Sequence, residues 1–139
     1  MPKILIMEDD PELSYSLTQC LEDAGHWVSA CRSAACARTE MEAASYDLLI
    51  TDIFVRRNNR SLNDGGISLI AWVRARPGIQ DMPIIAVSGS TRYPGMETIL
   101  TTARRIGADM VLEKPLKLSE LLAGIVTLTC HHDRRGPVG

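Results

Sequence analysis

The sequence predicts an α/β chain built on a doubly wound parallel sheet of five strands, and three observations carry that prediction. Five short apolar runs recur along the 139 residues: ILIM (4–7), WVSA (27–30), LLIT (48–51), IIAV (84–87) and MVL (110–112). Segments with helical spacing separate them, and strands alternating with helices imply parallel pairing, because each crossover must carry the chain back to the same edge. ILIM, LLIT and IIAV are apolar without interruption, as strands covered on both faces must be.

Each helix has its own signal. Asp10 can cap the first, Pro11 suits its first position, and Leu13, Leu17, Leu21 and Ala24 recur at helical intervals before Gly25 stops it. Ser33 caps the second, which runs through MEAAS. The third follows Gly66 as ISLIAWVRAR and halts before Pro77. METILTTARRI forms the fourth, ended by Gly107, and LSELLAGIVTL after Lys117 forms the fifth. The order implies a flavodoxin-like (βα)5 layout with strand order 2-1-3-4-5. One domain is expected over residues 1–128, followed by a short polar tail, 129–139, expected to be disordered.

Composition narrows the class. An apolar fraction of 45% with 23% charged residues is that of a soluble globular protein. A net charge of −2 and the lack of a Lys/Arg stripe give no drive toward direct nucleic-acid binding. MPKILIM is too short for a signal segment, and no later run approaches membrane-spanning length, so the chain is expected in the cytoplasm with no membrane contact. Cys20, Cys31, Cys36 and Cys130 lack CxxC spacing, which argues against a zinc site or a thiol redox motif and for plain thiols in a reducing compartment. The tail pair His131 and His132 carries no metal-site signal of its own.

In open parallel sheets the functional crevice lies beyond the carboxyl ends of the strands. Glu8, Asp9 and Asp10 follow the first run, Asp52 the third, Ser88 the fourth, and Lys114 the end of the fifth. Singly, these read as a helix-capping cluster, a solvated strand end, a turn serine and a surface lysine. Jointly, they place several acids, a hydroxyl and an ammonium on one edge of the sheet. Crowded carboxylates call for protonation of one of them or for a divalent cation, and an all-oxygen set with room for water favours Mg2+. A cation beside a lysine and a hydroxyl suits phosphoryl chemistry. No GxxxxGK[ST] or GxGxxG cradle is present, and the first loop is acidic, so the phosphoryl group would arrive on another molecule. Asp52, the isolated acid, is the natural nucleophile.

These residues resemble the receiver domain of two-component response regulators, of the CheY-like kind, over roughly residues 2–128. KILIMEDDPELS is similar to that family's opening strand and acidic pair, LLITDIF to its phosphoacceptor strand, IIAVSGS to its hydroxyl strand and GADMVLEKPL to its last strand with Lys-Pro. The resemblance implies that Asp52 accepts a phosphoryl group from a histidine kinase or histidine phosphotransfer protein. It implies Mg2+ held directly by Asp9 and Asp52, by Glu8 largely through water, and by the backbone carbonyl of Phe54. Ser88 and Lys114 would bind phosphoryl oxygens, and a cis bond at Lys114–Pro115 would aim the ammonium inward. The domain would be no enzyme in its own right, though it would assist its own phosphorylation and dephosphorylation.

The sequence departs from the family pattern at four places. Val111 stands where an aromatic switch residue is common, and Ser88 where threonine is more usual. VRRNNRSLNDG (55–65) lengthens the loop after Phe54 and puts Arg56 where proline is common, giving either a tolerated surface insertion or a basic lip that meets a kinase. STRYPGMETIL (90–100) enlarges the approach to the fourth helix. The expected protein is a stand-alone receiver, with no output module after the fifth helix, that signals by switching its binding to a downstream protein partner, with homodimerisation left open. Two rivals stand beside it: a phosphorylation-independent pseudo-receiver for docking or dimerisation, and a small aspartyl phosphatase. The phosphatases normally carry their nucleophile in a DxD motif of the first strand, whereas Ile53 and Phe54 follow Asp52.

Overall fold

A computed structural model describes residues 2–53, 66–88 and 96–135. Strands and helices alternate in the order β1 (Lys3–Met7), α1 (Pro11–Asp23), β2 (Trp27–Cys31), α2 (Ala34–Ala43), β3 (Leu48–Asp52), α3 (Gly66–Arg74), β4 (Ile84–Ser88), α4 (Met96–Ile106), β5 (Met110–Glu113) and α5 (Leu118–Arg135). All strand pairs are parallel and the sheet order is β2-β1-β3-β4-β5, the flavodoxin-like arrangement that the sequence predicts.

Alternation along each strand divides the core in two, since successive side chains point to opposite faces. Leu5, Met7, Leu49, Ile84 and Ala86 face α2, α3 and α4, meeting Ala37, Met41, Leu69, Ile70, Val73 and Ala103. Ile4, Ile6, Leu48, Ile50, Ile85 and Val87 face α1 and α5, meeting Leu17, Leu21, Leu121 and Ile125. Every residue of β3 and β4 is buried, whereas the edge strands β2 and β5 are partly open. That pattern is why the uninterrupted apolar runs fall in the middle of the sheet.

The helix ends follow their local chemistry. The Asp10 carboxylate accepts the Glu12 amide at 3.0 Å, with Pro11 opening α1. The Ser33 hydroxyl accepts the Cys36 amide at 3.1 Å and so caps α2. Gly25, at φ 97°, takes the left-handed conformation that turns the chain from α1 into β2.

Two features go beyond the sequence reading. Helix α5 runs Leu118–Arg135, past the apolar segment that marks it in the sequence, and Leu128 still packs against the core. The cysteines are all free thiols, as expected, but Cys31 and Cys36 lie in sulfur contact at 2.8 Å. Their spacing of five crosses a strand end and a helix cap, a path that a search for CxxC overlooks. The loop 55–65, Phe54, and residues 89–95 of the second enlargement lie outside the described residues.

Candidate functional site

β1 and β3 are adjacent in the sheet although their helices return on opposite faces, so a crevice opens beyond their carboxyl ends. Register sets what meets there. Met7 pairs with Thr51 and with Cys31, Asp52 pairs with Val87, and Ser88 pairs with Glu113. The residues at or just after these positions, Glu8, Asp9, Asp52, Ser88 and Lys114, therefore gather at one end of the sheet.

Glu8, Asp9 and Asp52 each present a carboxylate oxygen within 4.8 Å of the others. Glu8 and Asp52 are buried and Asp9 is half-buried. The Glu8 amide donates to the Cys31 carbonyl at 2.9 Å, which ties the first acid to the end of β2, and Glu8 Oε2 accepts the Asp10 amide at 3.3 Å. Asp52 ends β3 and is fixed from behind: the Ile53 amide donates to the Val87 carbonyl at 2.9 Å, continuing the ladder past the acid.

Lys114 brings an ammonium to these acids. Its Nζ lies 2.7 Å from Glu8 Oε1 and 3.5 Å from Asp52 Oδ2. The Lys114 amide donates to the Ser88 carbonyl at 2.8 Å, and the following bond to Pro115 is cis, as the sequence resemblance implies. Burial acts to lower the lysine pKa, but the Glu8 hydrogen bond and the nearby Asp52 and Glu8 charges outweigh it, and the net displacement is upward. Ser88 is buried, and its hydroxyl oxygen has no hydrogen-bond partner among the described residues. A buried hydroxyl without a partner is costly, so this one is ready to donate to a polar group that comes within its reach.

The acidic set fits a hard divalent cation: three carboxylates supply oxygen only, and they converge closely enough to share one ion. The structure thus brings together five of the six residues expected from sequence, and Phe54 lies outside the described residues. Sequence reasoning missed two supports. Gly66 opens α3 so close to Asp52 that a Cβ there would collide with the Asp52 carbonyl, a contact signalled only by a glycine at the head of an apolar helix. The Cys31 carbonyl holds the Glu8 amide, a backbone role that leaves no mark in the sequence. Beside Lys114, a groove of about 360 Å³ runs along α1, lined by Leu13, Leu17, Cys20, Pro115 and Leu116.

Residues 4–126 match the family described as the response regulator receiver domain. The torCAD operon transcriptional regulatory protein TorR of Escherichia coli K12 is 31% identical over 129 residues, covering 90% of this chain and 49% of that protein. The phosphate regulon transcriptional regulatory protein PhoB of Rhizobium meliloti is 30% identical over 129 residues, covering 90% of this chain and 51% of that protein. The chain thus spans about half the length of these relatives. Among solved structures, the signal receiver domain of a signal transduction histidine kinase from Syntrophus aciditrophicus superposes with a TM-score of 0.82 at 23% identity, covering 100% of this chain and 98% of that one. A putative response regulator from Chloroflexus aurantiacus gives 0.80 at 22% identity, with 93% and 98% covered. At such identities the structures speak for the fold.

Proposed function

We propose that this chain, which belongs to the response regulator receiver domain family, accepts a phosphoryl group on Asp52 and changes its partner binding as a result. The observation that carries the reading is the meeting of a buried aspartate, two further acids and an inward-directed lysine at one end of β3. The donor would be a phosphohistidine on a histidine kinase or phosphotransfer protein.

A carboxylate oxygen of Asp52 attacks phosphorus, the phosphorus–nitrogen bond breaks, and the departing imidazole keeps its electron pair and takes a proton. Because Asp52 is held at a strand end and largely stripped of water, it meets the phosphorus in a fixed orientation. Asp9 and Asp52 would hold Mg2+ directly, with Glu8 assisting through water and the Phe54 carbonyl completing the protein ligands. When bound, the cation would offset the charge that builds on the transferring oxygens. Ser88 would give its hydroxyl hydrogen to one phosphoryl oxygen, and Lys114, already within reach of Asp52, would pair with another. Asp52 is consumed and regenerated while the donor and the water that releases phosphate do the rest, so the domain acts as a switch and a phosphoacceptor.

The domain boundaries follow the same reading, with the receiver over 1–128 and the helical continuation beyond it serving as an extension. The apolar groove along α1 beside Lys114 gives an incoming kinase a foothold next to the phosphoacceptor. The expected setting is the cytoplasm, where such donors lie; no helix among the described residues is long and apolar enough to cross a membrane.

The test is intact mass after incubation with acetyl phosphate or phosphoramidate, with and without Mg2+, for the wild type and Asp52→Ala. A single phosphoryl adduct that needs Mg2+ and is lost in the variant is the expected result. No adduct, under conditions that label another receiver, would overturn the reading in favour of a docking module.

A further inference from the structure

Away from the carboxylates, a second pair of reactive groups meets. Cys31 closes β2, Cys36 lies in the first turn of α2, and their sulfurs are 2.8 Å apart. That is nearer than the roughly 3.5–4.0 Å at which unbonded carbon atoms pack. The approach is built into the local structure. Ser33 fixes the start of α2 twice, through its hydroxyl to the Cys36 amide at 3.1 Å and through its carbonyl to the Ala37 amide at 3.1 Å. Cys31 is anchored from the other side by its place in the core with Met7, Ala34 and Ala37.

The two thiols differ in access. Cys36 is exposed, whereas Cys31 is buried at 3% relative exposure. An oxidant reaches the first and not the second, which is the arrangement of an attacked thiol backed by a resolving one. Disulfides in reducing compartments are typically transient and regulatory, so the pair is compatible with the expected setting.

Cys31 also touches the acidic crevice. Its carbonyl accepts the Glu8 amide at 2.9 Å, and its partner across the sheet is Met7, the residue before Glu8. Any displacement of the β2–α2 corner therefore acts first on the backbone that carries Glu8.

We propose that Cys31 and Cys36 form a reversible dithiol–disulfide switch, oxidised by peroxides, that adjusts the acidic crevice through the Cys31 carbonyl and the Glu8 amide. The Cys36 sulfur attacks a peroxide oxygen, the O–O bond breaks, and a sulfenic acid forms as the first water leaves. The Cys31 sulfur then attacks the sulfenic sulfur, the S–S bond forms, the S–O bond breaks and a second water leaves. For hydrogen peroxide the balance is two thiols and one peroxide giving one disulfide and two waters, the thiols supplying the two electrons. A dithiol reductant reverses it. The effect on the crevice rests on the phosphoacceptor reading above; formation of the disulfide does not.

The experiment uses the full chain carrying Cys20→Ser and Cys130→Ser, which leaves only the pair. After hydrogen peroxide, intact mass under non-reducing conditions should fall by two hydrogens, both thiols should vanish from a denaturing titration, and dithiothreitol should restore them. Adding Cys36→Ser at the exposed position should abolish the change. Oxygen added to Cys36 alone, or two persistent thiols, would overturn the switch. Calorimetric titration with Mg2+ then reads the coupling: oxidation should change Kd by about 5-fold or more, with no change in the Cys36→Ser protein treated alike. A disulfide that leaves Kd unaltered would overturn the coupling. Failure of the reduced protein to bind Mg2+ at all would count against the phosphoacceptor reading and leave the mass result standing.

Discussion

Lys114 holds Glu8 more closely than it holds Asp52, with Nζ 2.7 Å from Glu8 Oε1 against 3.5 Å from Asp52 Oδ2. The lysine thus compensates a buried acid that lies one strand away from the expected phosphoacceptor. Removing it takes an ammonium away from two buried carboxylates, Glu8 and Asp52. Breaking a buried pair costs about 3–5 kcal/mol, and the 23% exposure of the lysine side chain reduces this through solvent screening. Lys114→Met should therefore lose about 1–3 kcal/mol in urea unfolding. Mg2+ should stabilise the variant by more than it stabilises the wild type, since the ion would take over the missing charge. Equal stabilisation of both proteins would count against an ion among these acids.

The same contact sets a pH dependence. The Lys114 pKa is raised above the usual 10.5 in the folded protein. A raised lysine value means that the stabilisation is present in full below that usual, unfolded value and is lost as pH rises through the folded value. The stability difference between wild type and Lys114→Met should stay level from neutral to mildly alkaline pH and shrink only beyond the ordinary lysine range. Urea midpoints measured across that series check it.

Gly66 governs how closely α3 approaches the end of β3. A Cβ there would collide with the Asp52 carbonyl oxygen, which is backbone and has little freedom to yield. Gly66→Ala should cost about 1–3 kcal/mol and shift Asp52. Phosphoryl uptake from acetyl phosphate, measured well below the unfolding midpoint, should slow as well. Uptake at the wild-type rate would show that α3 can back away without moving the acid.

The sheet and its crevice were legible in the sequence because the signals were local and repeated. ILIM, LLIT and IIAV mark strands buried on both faces, Asp10-Pro11 and Ser33 mark helix starts, and in a parallel sheet the acid, hydroxyl and lysine after those runs must share an edge. What stayed hidden depends on distances between separate segments. The Cys31–Cys36 contact, the Gly66 approach to Asp52 and the Arg74 network require the chain to be folded before they exist. The length of α5 was missed because HHDRR reads as a polar end, whereas a helix whose earlier turns pack on the sheet can carry polar residues onward at little cost.

Arg74 ties the opposite end of the sheet. Its guanidinium donates to the Gly107 carbonyl at 2.7 and 3.1 Å, to Gln80 at 2.9 Å, to Met82 at 2.6 Å and to Asp109 Oδ2 at 2.9 Å. That same Asp109 oxygen accepts the Ile84 amide at 2.8 Å, so one side chain clasps the entries of β4 and β5. A lysine cannot reproduce the planar fork. Arg74→Lys should cost about 2–4 kcal/mol, while phosphoryl uptake by the folded protein stays unchanged because the crevice lies at the far end of the strands. A parallel loss of uptake would show that the two ends are coupled.

Ser88 separates stability from chemistry. Its hydroxyl is buried without a hydrogen-bond partner among the described residues, so none of them repays its desolvation. Ser88→Ala should leave stability unchanged or raise it by up to about 1 kcal/mol. In the proposed reaction the same hydroxyl donates to a phosphoryl oxygen, and losing one such donor typically slows a reaction by about 100-fold. Ser88→Thr, which restores the donor, should recover much of the rate if the extra methyl is accommodated beside Val87. The pair of readings, urea midpoint and rate of adduct formation, must therefore move independently in the alanine variant. A variant that is less stable yet phosphorylated normally would place Ser88 in the packing of β4 rather than at the phosphoryl group.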